Sequence, residues 1–183
     1  KQAGWRTDPA RSGLGGSTGD IGTHAFNLAS FVSGLELDQL CADLDSFVEG
    51  RQLDDNGHVL MRFAGGEKGG LEWAQEDPNY LWHSPLGQPK RLLTRNGAGA
   101  TAAGQRVSRI PGGHPEGYLE GFATIYNEAA EAIIAHRDGK SAPDGVIYPG
   151  IEEGLAGVAF VTACVESSKR GGTWVKFGSY NKR

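Results

Sequence analysis

The spacing of apolar residues predicts three amphipathic helices in this chain. Apolar positions recur every three or four residues in three runs, which are Ile21–Val32, Tyr118–Ile133 and Ile151–Lys169. Asp20 fits the N-cap of the first helix, and Gly34 fits the position after its last turn. Pro115 fits the first position of the second helix, because a helix start does not need the backbone N–H that proline lacks.

Between the first two helices, the pattern changes to short apolar runs typical of β-strands. Residues 35–63 predict two antiparallel strands that join near residues 54–57. The segments GLEWA, NYLWHS and KRLLTR predict a meander, since DPN and PLGQP between them favour turns, and TWVKF predicts a final strand. Residues 96–114 predict a long polar loop. Because strands do not alternate with crossover helices, we expect an α+β fold with helices on one face of a mainly antiparallel sheet.

Length, charge and cysteine usage narrow the class of protein. At 183 residues, the chain is long enough for one domain spanning residues 1–183, and the start KQAGWRTDP, which lacks an initiating Met, indicates an internal piece of a longer protein. The net charge of −4 without lysine or arginine clusters predicts no nucleic-acid partner, and the lack of an 18-residue apolar run predicts no membrane span. Cys41 and Cys164 have no ligand spacing, which disfavours a metal site and indicates a reducing, cytoplasmic location.

Two glycine-rich segments are similar to dinucleotide-binding fingerprints, but neither fits one. GLGGSTG has Thr18 where the GxGxxG pattern needs its third glycine, and no apolar strand precedes it. GAGATA fits GxGxxA, but the following QRVSRIP does not predict the amphipathic helix that the fingerprint requires. We therefore expect no cofactor-binding residues in this chain.

Asp20 and His24 are the strongest candidates for catalysis. Their i, i+4 spacing at a helix start puts a carboxylate and an imidazole on one face. There the carboxylate can fix the ring tautomer and leave the other ring nitrogen free as a base. An N-cap aspartate beside a merely structural histidine has the same spacing, so the spacing does not decide between the two.

Two further groups are candidates for substrate binding. His114 and Tyr118 lie at a predicted helix start after a long loop, although helix capping and a core tyrosine would also explain them. Trp5, Arg6 and Asp8 precede the first glycine-rich segment, and an arginine can donate to substrate hydroxyls, although solvated charges are an equal alternative.

Three blocks, which together span nearly the whole chain, carry a resemblance to a known family. They are WRTDPARSGLGGSTGDIGTHAFNLASFVSG, GHPEGYLEGFATIYNEAAEAI and GIEEGLAGVAFVTACVESSKRGGTWVKF. They resemble the C-terminal domain of the glucose-fructose oxidoreductase, inositol dehydrogenase and rhizopine-catabolism (Gfo/Idh/MocA) family. The resemblance implies an open, mainly antiparallel or mixed sheet like that of the C-terminal domain of dihydrodipicolinate reductase. It also implies an N-terminal Rossmann domain for NAD or NADP that this chain lacks, and a homo-oligomer formed through the sheet.

The resemblance also implies roles for individual residues. The family's DxxxH motif falls on Asp20 and His24, which implies that they interconvert a hydroxyl and a ketone on a sugar, inositol or related polyol, together with a lysine from an EKP segment of the first domain. Glu67-Lys68 is followed by Gly69 rather than proline, so this lysine has no counterpart here, and we expect the fragment to be inactive alone. The alternative is a non-catalytic sugar-binding or dimerisation module.

A departure from the family pattern lies between Phe63 and Glu67. The family runs through another pair of strands at this point, whereas this chain passes directly through Ala64, Gly65 and Gly66. Either about two strands are deleted or a segment is missing from the sequence, and a sheet edge left uncovered there would favour aggregation.

Overall fold

The computed structural model describes residues 4–179, which form two compact units. The first unit comprises the chain up to Gly66 and from Pro149 onward, and the second comprises Glu67–Tyr148. Each unit combines helices with a three-stranded antiparallel sheet, which confirms the predicted α+β class. Over the described range, every helix is too short or too polar to span a membrane.

The helices and strands have the following bounds. The α-helices are α1 (Pro9–Ser12), α2 (Thr23–Ser33), α3 (Ala102–Val107), α4 (Tyr118–Arg137) and α5 (Ile151–Lys169). A π-helical turn covers Thr18–Gly22, and short 3-10 helices cover Gly4–Thr7 and Phe177–Ser179. The strands are β1 (Leu37–Asp45), β2 (Asn56–Phe63), β3 (Gly69–Glu72), β4 (Tyr80–Pro85), β5 (Arg91–Thr94) and β6 (Val175–Lys176).

The sheet of the first unit has the strand order β2-β1-β6, and both of its pairings are antiparallel. This confirms the predicted pair of strands in residues 35–63 and the predicted final strand, which pairs with β1. The register of β1 against β2 shifts between Leu37 and Gln39. As a result, Leu37 and Leu40 are both buried although they are three positions apart, and Ala42 extends the same buried face.

The core of the first unit lies between β1 and the helices α5 and α2. Phe160 of α5 is 2% exposed and stacks on Phe26 of α2, with ring centroids 4.7 Å apart. The fully buried Ser167 joins α5 to the sheet, because its hydroxyl accepts from the backbone N–H of Ala42 at 2.9 Å and donates to the carbonyl of Thr173 at 2.6 Å. Apolar contact and one satisfied buried hydroxyl therefore hold α5 on β1.

Helix ends differ from the predictions at two of the three N-termini. Asp20 is not an N-cap, because it lies inside the π-helical turn that leads without a break into α2. Pro115 is not the first helical residue, because α4 starts at Tyr118, where the backbone N–H of Gly117 donates to the Glu120 carboxylate at 3.1 Å. The left-handed Gly34 (φ 66°) ends α2 as predicted.

The second unit contains a sheet of order β3-β4-β5, which confirms the predicted meander. Arg95, directly after β5, fixes the loop that precedes α4. Its guanidinium donates to the side-chain oxygen of Asn79 at 3.1 Å and to the carbonyls of Ile110 and His114, each at 2.8 Å. It also pairs with the carboxylate of Glu116. One partly buried cation therefore organises this loop.

The helix α3 forms inside residues 96–114, where we expected a loop. The Thr101 hydroxyl caps α3 by accepting from the backbone N–H of Gly104 at 3.2 Å. Arg106 in its last turn pairs with the buried Glu128 of α4 at 2.8 Å. The apolar pattern gave no signal for α3, because a cap and an ion pair stabilise it rather than an apolar stripe.

Replacing Phe160 with alanine tests the described core. We expect a loss of about 3–5 kcal/mol in the free energy of unfolding, because the substitution leaves a cavity beside Phe26. Val158→Ala on the same helix is the control, since Val158 is 66% exposed and its substitution should change stability by less than about 1 kcal/mol. Urea denaturation of both variants measures the difference, and equal losses would contradict the described packing.

Candidate functional site

A cavity of about 380 Å³ in the first unit brings several of the predicted site residues together. This volume lies within the range of about 300–1,000 Å³ that is usual for small-molecule sites. The cavity lies where the first glycine-rich segment meets residues 51–55. Its charged and hydroxyl lining includes Arg6, Ser12, Ser17, Asp20, Arg51, Asp54 and Asp55.

The Asp54 carboxylate fixes the backbone of the glycine-rich segment. Its Oδ1 accepts from the backbone N–H of Gly16 at 2.6 Å. Its Oδ2 accepts from the Ser17 hydroxyl at 2.8 Å and from the backbone N–H of Thr18 at 2.7 Å. The carbonyl of Asp54 accepts a fourth hydrogen bond, from the backbone N–H of Ser17 at 2.8 Å. Three consecutive residues are thus tied to one residue of the β1–β2 connection.

These hydrogen bonds also decide the ionisation of Asp54. Burial raises the pKa of its carboxyl, but the backbone N–H groups of Thr18 and Gly16 and the Ser17 hydroxyl lower it by more, so the net pKa lies below its usual range. The carboxylate is therefore charged at neutral pH.

Gly16 allows the glycine-rich segment to lie directly on the β1–β2 connection. A Cβ at this position would lie 2.1 Å from the carbonyl oxygen of Asp54 and 3.0 Å from the Cβ of Leu53. The neighbouring Gly15 faces α5 in the same way, since its Cβ would lie 2.7 Å from Cγ1 of Val161. Only residues without a side chain fit between these two neighbours.

Asp20 lies on the π-helical turn at the mouth of the cavity. One oxygen of its carboxylate accepts from the Arg6 guanidinium at 3.2 Å, and both side chains are about half exposed. Arg6 also lies 5.5 Å from the ring centroid of Trp5. The structure thus brings Trp5, Arg6 and Asp20 together, as a binding site near the glycine-rich segment requires.

His24 is the second residue of α2 and is exposed. It does not line the cavity, and none of the hydrogen bonds described for residues 4–179 joins it to Asp20. The π-helical turn separates the two, because the backbone N–H of Thr23 reaches back five residues to the carbonyl of Thr18. The wider turn therefore changes the direction of Asp20 relative to the helix that bears His24.

The remaining predicted binding residues lie elsewhere. Asp8 caps α1 by accepting from the backbone N–H of Ala10 at 3.0 Å, and it lines a second, more open depression of about 390 Å³. His114 and Tyr118 belong to the second unit. There the backbone carbonyl of His114 accepts a hydrogen bond from Arg95, and the exposed ring of Tyr118 contacts that of Phe122. Their role in substrate binding stays a prediction.

Within residues 4–179, no three histidine, cysteine, aspartate or glutamate side chains converge as metal ligands. The buried Cys164 is a core residue rather than a reactive thiol, because burial and the negative charge of Asp54 raise its pKa to about 12.

The sequence did not identify Asp54 as a site residue. The residues at 54–57 predict only a connection between two strands, for which a single aspartate or asparagine is sufficient. The signal in the sequence is that two aspartates stand side by side at positions 54 and 55, because each has its own hydrogen-bond partners. The carboxylate of Asp55 accepts from the backbone N–H groups of Phe47 and Val48, at 2.8 and 3.0 Å, while Asp54 serves the glycine-rich segment.

Comparison with known proteins confirms the resemblance and the fold. Residues 1–84 match the family model of the GFO/IDH/MocA C-terminal domain. The uncharacterized oxidoreductase YfiI of Bacillus subtilis (strain 168) is 30% identical over 200 residues, which cover 94% of this chain and 51% of that protein. This chain spans about half the length of the curated relative it matches.

Solved structures give the same result. An oxidoreductase from Sinorhizobium meliloti is 59% identical, with a TM-score of 0.76, over 87% of this chain and 51% of that one. An inositol dehydrogenase homolog from Azotobacter vinelandii, complexed with NADH and myo-inositol, is 31% identical, with a TM-score of 0.77, over 94% of this chain and 51% of that one.

Substitution of Gly16 by alanine tests the close approach of the glycine-rich segment to Asp54. We expect a loss of about 1–3 kcal/mol in the free energy of unfolding, because the new methyl group collides with backbone atoms that cannot rotate away. Gly19→Ala is the control, since a Cβ at Gly19 meets no atom within 4 Å. Thermal denaturation followed by circular dichroism compares the two, and the geometry is wrong if both variants melt with the wild type.

Proposed function

We propose that this chain, which belongs to the GFO/IDH/MocA family, is the substrate-binding half of a two-domain, NAD(P)-dependent oxidoreductase. The reaction is the interconversion of a hydroxyl and a ketone on a sugar, inositol or related polyol. The observation that carries the proposal is the cavity where Arg6 and Asp20 meet, at the start of the helix that bears His24. The homolog with bound NADH and myo-inositol, which matches 94% of this chain, supports the choice of substrate class.

Among residues 4–179, neither glycine-rich segment fits a dinucleotide site. The strand pairings that the structure describes are all antiparallel. GLGGSTG follows α1 rather than a strand, and GAGATA lies between the antiparallel strand β5 and the six-residue helix α3. A dinucleotide fingerprint needs a parallel βαβ unit. In this proposal, an N-terminal Rossmann domain therefore binds NAD or NADP, and the residues of this chain bind and position the substrate.

The proposed role of His24 is that of the base which accepts the proton of the substrate hydroxyl as its carbon becomes a ketone. Its exposure on α2 leaves the imidazole accessible to a substrate. Asp20 keeps acceptor capacity beyond the one bond from Arg6, because a carboxylate offers about four lone-pair sites. We propose that the remaining lone pairs of the Asp20 carboxylate accept a hydrogen bond from the His24 ring N–H or from a substrate hydroxyl during the reaction.

Trp5 and Arg6 are proposed to hold the substrate. Arg6 offers guanidinium donors to hydroxyl groups, and the indole of Trp5 offers the flat apolar face on which the C–H face of a sugar ring packs. Both side chains line the cavity together with Asp20. Asp8 is proposed to bind one edge of the substrate. It lines the neighbouring depression, which shares Thr7 and Arg51 with the cavity.

A homo-oligomer that forms through the sheets is part of the same proposal. Large apolar side chains stand exposed on strands of both units, among them Leu60 on β2 and Trp82 on β4, which are 65% and 41% exposed. Partner surfaces in oligomers are enriched in such residues.

Substitution of His24 by alanine in the complete enzyme tests the catalytic assignment. We expect kcat to fall about 10²–10⁴-fold, which is the usual contribution of a general base, with the Kd for NADH unchanged. His58→Ala is the control, because His58 is exposed on β2 and lines neither depression. Steady-state kinetics on a polyol that the wild type oxidises, such as myo-inositol, measures the effect. Unchanged turnover of the His24 variant would remove His24 from the mechanism.

The expected absence of a dinucleotide site leads to a binding test on the 183-residue chain itself. Titration with NADH should leave the fluorescence of its four tryptophans unquenched. The complete enzyme, with its Rossmann domain, serves as the positive control and should quench in a saturable way. Saturable quenching of the isolated chain would place cofactor contacts on these residues.

A further inference from the structure

We propose that Asp54 is the positioning residue of the candidate active site, and that its carboxylate sets where Asp20 and the start of α2 lie. The inference rests on the proposed function, because positioning has a consequence for catalysis only if Asp20 and His24 act on a substrate.

The first step is that Asp54 uses both carboxylate oxygens on the glycine-rich segment. Gly16, Ser17 and Thr18 all donate to it, over 2.6–2.8 Å. Hydrogen bonds to a charged acceptor are shorter and stronger than those between neutral groups. The segment is therefore held at three consecutive residues by one side chain, rather than by scattered contacts.

The second step is that hydrogen bonds run from these anchored residues to the candidate catalytic pair. The carbonyl of Gly16 accepts from the backbone N–H of Asp20 at 3.0 Å. The carbonyl of Thr18 accepts from the backbone N–H of Thr23, the residue before His24. The peptide groups bound by Asp54 are thus adjacent to those that fix Asp20 and the first turn of α2.

The third step is that Asp54 is itself held in place. Its neighbour Leu53 is buried, and Asp55 on its other side binds the backbone N–H groups of Phe47 and Val48. Thr18, whose backbone N–H donates to Asp54, is only 4% exposed. Both partners of the contact are therefore ordered, and the glycine-rich segment has little freedom to shift independently of β2.

An asparagine at position 54 preserves the shape of the side chain but not the bonding. Donors approach both carboxylate oxygens of Asp54, and the amide of asparagine offers only one oxygen acceptor. Either orientation of the amide therefore turns an NH₂ group towards a backbone N–H. The segment must move to relieve this conflict, and Asp20 moves with it.

The test is Asp54→Asn in the complete enzyme, with Glu153→Gln as the matched control. Glu153 also accepts a backbone N–H, that of Gly150 at 2.7 Å, but it does so at the start of α5 and lines neither depression. Both substitutions remove one negative charge from a carboxylate that accepts from backbone N–H groups. Of the two carboxylates, only Asp54 binds a residue, Gly16, that is hydrogen-bonded in turn to the backbone of Asp20.

Two measurements are made at a temperature where both variants are fully folded. We expect kcat of Asp54→Asn to fall about 10–100-fold, since small misplacements of reacting groups have effects of this size, and kcat of the control to stay within about twofold of wild type. Hydrogen exchange should become faster at the amides of Gly16, Thr18 and Asp20 in Asp54→Asn and stay unchanged there in the control.

The outcomes separate this inference from the proposed function. If His24→Ala is inactive while Asp54→Asn exchanges faster but keeps its kcat, positioning by Asp54 is wrong and the proposed function stands. If exchange at these amides is unchanged in Asp54→Asn, the inference is also wrong. If His24→Ala keeps full turnover, the catalytic role proposed for His24 fails on its own measurement, and if the wild type oxidises no polyol, the proposed function fails.

A milder substitution keeps the test decisive if Asp54→Asn does not fold. Ser17→Ala removes one of the three donors to the carboxylate and leaves the charge in place. We expect a fall in kcat of about two- to fivefold and faster exchange at Thr18, in proportion to one lost hydrogen bond. Wild-type exchange at Thr18 together with wild-type kcat would overturn the inference.

Discussion

The contact between Gly16 and the backbone of Asp54 determines where the rest of the first unit's candidate site lies. No side chain separates the two backbones, and the carboxylate of Asp54 then binds the peptide groups on either side of Ser17. The burial of a carboxylate is unfavourable, but here short hydrogen bonds to backbone N–H groups compensate for it and keep the group charged. The site is therefore built on the sheet through its backbone, and not through the side chains that face the cavity.

The contacts that face the cavity are much weaker than this anchor. Arg6 and Asp20 form an ion pair at 3.2 Å with both side chains about half exposed, and such pairs contribute about 0–1 kcal/mol. A ligand with hydroxyl groups can therefore exchange hydrogen bonds with either side chain at little loss of stability. The combination of a fixed backbone and readily exchanged side-chain contacts suits a site that binds and releases a polar molecule.

The sequence predicted those parts of the fold that depend on local apolar patterns. The α5 helix, the end of α2 at Gly34 and the antiparallel strand pairs follow from spacing and turn residues. The helix α3 did not, because an ion pair to Glu128 stabilises it across about twenty residues of sequence. The π-helical turn also left no periodic signal, and it displaced the predicted N-cap at Asp20.

The candidate site was predictable to a similar extent. Trp5, Arg6 and Asp20 come together because they flank one glycine-rich segment, so proximity in sequence was a useful guide. Asp54 lies 38 residues beyond Gly16 and reaches it only through the pairing of β1 with β2. No property of the residues near position 54 identifies this partner, and only the tertiary structure does.

The π-helical turn has a consequence for the way the first unit divides its surfaces. In a continuous α-helix each residue advances by about 100°, so the direction of Asp20 would be tied to that of Phe26 six residues later. The wider turn changes this angular relation before α2 begins. The π-helical turn therefore gives Asp20 a direction relative to Phe26 that a continuous α-helix would not give it. Because the turn runs into α2 without a break, the cavity-facing Asp20 and the core residue Phe26 belong to one continuous helical segment. A change in the packing of α2 against α5 would therefore also turn the carboxylate of Asp20.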